Sequence, residues 1–295
     1  MRSVKTCPLA SVLLLATIAT SSCTHTLTTP PATAAGTTPP NRAISPVLSD
    51  VEAKRAIAYR TYAAPNSPHA WALATTAIIF EINQHHHDLL AGTEVTADGV
   101  EVGKRVLSQW WDVNNRRDLL GTLEWLQFEG HRTEFEELGR RVNALTEREF
   151  ISIEAAADSN PHVANQLDIV HKHHRALGQK GILAWDLVRY ISLCRWGYLA
   201  GYLSDTEAWD LIMPTALRLQ QTFASWQDLQ SDYLIGREFW SVEQSENNGA
   251  RYRAIYERFL QDSSSPWNLN PWAMDLKVAT PLPIQTNRHR SQGQS

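Results

Sequence analysis

Between about Asp50 and Leu276, apolar residues recur every three to four positions, and strict two-residue alternation is scarce. That period predicts helices near 49–63, 67–88, 99–111, 115–129, 132–144, 147–158, 161–177, 182–200, 205–223, 226–235 and 248–261. One stretch departs from it. In AGTEVTADGVEV (91–102) the valines and the Asp98-Gly99 pair predict a small hairpin. Proline is almost absent from the interior and no repeat of fixed length is visible, so the expected fold is all-α, a single globular multi-helix domain over 49–276.

Polar residues mark where these helices begin. Thr146 with Glu149, and Ser204 with Glu207, have the spacing of a capping box, in which a hydroxyl and a carboxylate satisfy exposed backbone donors reciprocally. Asn160-Pro161 sets a capping side chain before a proline at the first helical position, and Ser225-Trp226 with Asp228 reads as another start. Gly201 follows an apolar helix and precedes Ser204, so GYLS predicts a tight turn between two helices.

The segment Gly181–Trp240 holds five of the chain's 11 tryptophans. Its words Ala184-Trp185-Asp186 with Arg189, Gly201-Tyr202, Glu207-Ala208-Trp209, Ser225-Trp226, and Gly236-Arg237 with Phe239-Trp240 resemble the bacterial domain of unknown function 1266. Upstream, Trp110-Trp111-Asp112-Val113 and Gly130-His131-Arg132 fit the same pattern. The resemblance covers about 110–276. It carries no activity, cofactor or partner with it.

The ends of the chain bear on address. Arg2 and Lys5 precede an apolar run, Leu9–Ala19, that is too short for a membrane-spanning helix and reads as the core of a signal peptide over 1–22. Small residues then lead to Cys23, resembling a lipobox in which that cysteine is lipidated. Thr20 stands where such signals usually carry Leu, which keeps ordinary signal cleavage open as the alternative. Residues 23–48 are rich in Thr, Pro and Ala and read as a solvated tether; residues 277–295 read as a frayed tail. The expected location is therefore the bacterial cell envelope, lipid-anchored and facing the periplasm from the outer membrane, with a soluble secreted or periplasmic protein as the alternative.

Charge and cysteines narrow the classes. Removing 1–22 takes away Arg2 and Lys5 and no acid, leaving 25 basic residues against 31 acidic ones. That balance, without a basic block, argues against a nucleic-acid partner. In the folded part only Cys194 remains, in an apolar helix, where a cysteine usually serves as a small buried hydrophobe.

Candidate chemistry is sparse. Asp186 and Arg189 lie three apart on one helix, so they read either as a structural pair or as part of a pocket. In the pocket reading, formed by His131, Asp186, Arg189 and Arg237, Asp186 is a base or anchor and the arginines bind an anion. Outside that pocket reading, His131 at a helix junction reads as a residue that caps it or bonds a backbone carbonyl. His85-His86-His87 and the His171/His174 pair lack the convergent ligands a zinc site needs, so neither a metal nor a cofactor is expected. There is no phosphate-binding glycine loop, nucleophile elbow or dinucleotide fingerprint. The first expectation is a non-enzymatic envelope lipoprotein that binds another envelope protein. The alternative is a hydrolase or small-anion binder built on the four-residue pocket.

Overall fold

The computed structural model describes residues 62–278, with the side chains of 243–248 and 278 outside the described set. The expected signal peptide, Cys23, the expected tether, most of the helix expected at 49–63 and the expected tail fall outside these residues. Among the described residues twelve α-helices follow one another: α1 (Pro68–Ala74), α2 (Ala77–Ile82), α3 (Ala97–Trp111), α4 (Arg116–Phe128), α5 (Gly130–Asn143), α6 (Glu147–Ala157), α7 (Pro161–Leu177), α8 (Leu183–Leu199), α9 (Asp205–Thr222), α10 (Trp226–Trp240), α11 (Val242–Gln261) and the single turn α12 (Pro266–Leu269). Among the described residues there is no strand, only an isolated bridge between Tyr62 and Leu89. The all-α expectation holds.

Helix α8 is the axis of the fold. Every residue of it except Tyr198 is buried, including Asp186, Arg189 and Arg195. A helix apolar on all sides has to be wrapped, and α3, α4, α5, α9 and α10 pack directly around it. Outside that ring, α7 closes on α5 and α10, α11 lies along α10, and α6 packs on α7. The tryptophans of the resemblance are largely scaffold. Trp71, Trp226, Trp267 and Trp272 form one aromatic cluster, in which Trp71 lies 4.6 Å from Trp226 and 5.1 Å from Trp272. The Trp267 indole also donates to Ala74 O at 3.0 Å, so the Pro-Trp segments near the C-terminus clamp it onto the domain.

The anticipated caps are present. Thr146/Glu149 and Ser204/Glu207 form full capping boxes. Asn160 Oδ1 and Ser225 Oγ each accept from the backbone three residues on. Gly201 turns the chain at φ +74.

Five expectations are corrected. The hairpin at 91–102 is absent: Thr96 caps a helix by accepting from Gly99 N, and Asp98 lies in its first turn. The helix expected over 67–88 is two short ones. Thr75 and Thr76 turn their hydroxyls back onto Ala72 O and Leu73 O, competing with the helical ladder, and the chain leaves the second helix through Gln84 at φ +57. His85–His87 therefore lie outside any helix. Helix α10 runs to Trp240 rather than 235, because Gly236 continues it where α8 comes closest: a Cβ there would meet Trp185 Cβ at 2.3 Å. Helix α11 begins at Val242 rather than 248, and Asn247-Asn248-Gly249 lies within it. At the end of the helix expected over 49–63, Ala63 instead donates its backbone N–H to Asp88 O at 2.7 Å.

Candidate functional site

Helices α5 and α8 begin without a capping side chain of their own. Helix α5 follows α4 after the single residue Glu129, and no local side chain accepts from its first turn. Helix α8 likewise has Ile182 at its cap position. Free N–H groups at a helix start carry partial positive charge and need acceptors. Both helices receive one from a distant aspartate. Asp232 on α10 accepts from Ala184 N at 2.8 Å, and Asp186 on α8 accepts from His131 N at 2.9 Å and Arg132 N at 3.1 Å.

Asp186 is fully enclosed, with 0 % of its side chain exposed. Arg132 Nη1 adds a third donor to it at 2.9 Å, and the same guanidinium donates to Leu126 O and Gln127 O at the end of α4. One carboxylate thus ties α8 to both sides of the α4–α5 junction. Gly130 makes the approach geometrically possible. It adopts φ +63, and a Cβ there would lie 2.1 Å from Asp186 Oδ2. In these terms the word Gly130-His131-Arg132 is a docking surface for one aspartate.

His131 and Arg189 stand against this brace. His131 Nδ1 lies 3.2 Å from Arg189 Nη1 and 3.5 Å from Asp186 Oδ1. A guanidinium only donates, and the second distance exceeds a good hydrogen bond, so Nδ1 is the acceptor and the proton sits on Nε2. Burial holds the imidazole below its ordinary pKa, opposed by Asp186, which keeps it neutral at pH 7. The guanidinium carbon of Arg189 lies 4.1 Å over the Trp111 ring, 4.2 Å over Trp185 and 5.4 Å over Trp240. Burial pushes Arg189 down to about 10, still cationic at neutral pH.

Of the four residues expected to form a pocket, the structure brings His131, Asp186 and Arg189 into contact. Asp186 pairs with Arg132 rather than with Arg189 three residues along. Arg237 is also buried, but its guanidinium stacks 3.9 Å over the Tyr252 ring. Burial raises the pKa of the Tyr233 hydroxyl, against the opposing charges of Arg189 and Arg237. Trp111, Trp125 and Arg132 belong to the same cluster and were not singled out from sequence. Trp111 and Arg132 had a signal, as letters of the Trp-Trp-Asp-Val and Gly-His-Arg words; Trp125 had none.

The histidine groups are committed elsewhere. His171 stacks on Phe150 at 3.9 Å, and His174 contacts Asn143 and Glu136. Among the described residues no three His, Cys, Asp or Glu side chains converge as metal ligands.

Two Escherichia coli K12 proteins match: Uncharacterized protein YbeU, 29 % identical over 149 residues, and Uncharacterized protein YbeR, 26 % identical over 144. The alignments cover 50 % and 48 % of this chain, and the chain spans 63 % and 59 % of the length of these relatives. No solved structure matches. The family model described as "Protein of unknown function (DUF1266)" matches residues 106–272, from within α3 to past α12, and the chain belongs to that family.

Proposed function

We propose that the protein is a non-enzymatic binding module of the cell envelope, held to a membrane through a lipid on Cys23 and recognising another envelope protein. One observation supports this most directly. Asp186, Arg132 and the backbone N–H of His131 are consumed in bracing helices, whereas large aromatic side chains nearby stand in solvent. Trp110 is 61 % exposed and Phe128 70 %. Phe128 lies one turn after Trp125, whose ring packs on His131, and Trp110 directly precedes Trp111. Exposed aromatics next to a rigid frame supply contact area at little entropic cost, as binding surfaces do. Asp186 already accepts from three donors, which leaves a hydrolytic reaction without a proton acceptor there.

The attachment rests on Cys23 behind its apolar leader, which reads as an acylation site. The full chain should incorporate an alkyne-palmitate label, and Cys23→Ser should abolish the label. Purified from detergent-solubilised membranes, the chain should bring a stoichiometric protein partner that is lost from the Trp110→Ser/Phe128→Ser variant. Repeated recovery of the chain alone, or a partner indifferent to both substitutions, would refute the binding surface. A chain without label would refute the anchor.

A further inference from the structure

Arg189 is a buried cation whose donors are mostly open. A guanidinium carries five N–H donors in one plane. Among the described residues, Arg189 makes one hydrogen bond, from Nη1 to His131 Nδ1. Its nearest carboxylate, Asp186, is already engaged by Arg132 and the start of α5. One acid therefore faces two guanidinium groups. Indole rings cover the faces of the Arg189 group, and such contacts stabilise a cation without satisfying its in-plane N–H groups. The same cluster holds a second open donor, because Trp185 Nε1 is buried without a partner.

The surroundings narrow what would complete this site. Arg189 is 7 % exposed, while Trp111, Trp240 and His131 keep part of their surface in solvent. The cluster therefore reaches the outside along an aromatic rim. A planar acceptor with two oxygens matches the in-plane fork of a guanidinium, and a flat apolar group matches the rim. We propose that the Arg189 cluster binds a small aromatic carboxylate, with the carboxylate on Arg189 and the ring against Trp111 and Trp240. This goes beyond the protein-binding reading and does not depend on it.

Three indoles around the site make tryptophan emission the readout. Benzoate should quench it saturably. Benzamide, its neutral counterpart, should not, and acetate, which lacks the ring, should bind at least about tenfold more weakly. Arg189→Lys keeps the charge and loses the fork, so it should weaken benzoate at least about tenfold while the melting temperature of the ligand-free protein is followed in parallel. The wild-type titrations decide the matter even if that variant fails to fold. No saturable response to benzoate, equal responses to benzoate and benzamide, or a folded Arg189→Lys protein with unchanged affinity would each overturn the proposal.

Discussion

Replacing Asp186 by Asn changes almost no volume and removes one charge, so it isolates what that charge does. In the native protein Oδ1 accepts from His131 N, and Oδ2 accepts from Arg132 N and Arg132 Nη1. A carboxamide has one acceptor oxygen, so its NH2 must face at least one of these donors, and Arg132, whose side chain is only 16 % exposed, is left without its counter-charge. Breaking a buried pair by removing one partner costs about 3–5 kcal/mol. The individual interactions give a similar figure: a charge at a partly buried helix start contributes up to ~2 kcal/mol, and a charged hydrogen bond about 1.5–3 kcal/mol. For a domain of this size each kcal/mol lowers the melting temperature by about 2–4 °C, so Asp186→Asn should melt about 6–20 °C lower. Thermal unfolding followed by circular dichroism measures this directly. Exposed Glu101→Gln, which breaks only a surface pair with Lys104, is the control and should shift by about 1 °C or less. A reactive acid held in place at the expense of stability would behave in the opposite way, and its neutralisation would leave the protein as stable or more so. A melting temperature within about 2 °C of wild type would therefore refute the bracing role.

Gly130→Ala should be at least as damaging as Asp186→Asn, because it adds a positive-φ cost of about 1–2 kcal/mol to a clash with the same carboxylate; urea unfolding tests the order. Asp232 is held well above its ordinary range of 3.8 by burial, so the native state keeps its proton longer than the unfolded chain does. Its stabilising protonation is complete at low pH and is lost as pH rises through the native value, whereas Asn does not titrate; the stability of Asp232→Asn relative to wild type should therefore grow from pH 5 to pH 8 in denaturant titrations, and a constant difference would contradict this. Arg195, fully buried, donates to Leu90 O, Leu89 O, His86 O and the Thr76 hydroxyl. Arg195→Met should leave these acceptors unsatisfied, destabilise the fold by about 3 kcal/mol or more, and speed hydrogen exchange most over 85–91.

Helix identity was legible in the sequence wherever a hydroxyl or amide cap coincided with apolar periodicity. Helix α7 has the predicted bounds, and α9 begins where Ser204 and Glu207 placed it. The failures share a cause. Thr96 was passed over because Asp98-Gly99 resembles a turn, and the valines around it are not a sheet face: Val95 and Val102 are exposed in the structure. The break at Thr75-Thr76 depends on where two hydroxyls turn, which periodicity does not encode. Sequence placed His131, Asp186 and Arg189 on a short list, but it paired Asp186 with its helical neighbour. The actual partners lie 54 and 55 positions away, and their approach requires one positive φ at Gly130. Contacts of that separation leave no local spacing to read.

The two borrowed caps have a consequence for biogenesis. The start of α5 is completed by a residue of α8, and the start of α8 by a residue of α10, so closure runs backwards along the chain. The 48 residues between Ala184 and Asp232 take about 2–10 s to synthesise at ~5–20 residues per second. During that interval the central helix has emerged without its cap. Any N-terminal fragment that stops before Asp232 should remain a substrate for chaperones and proteases, and the domain should become protease-resistant only once α10 is present.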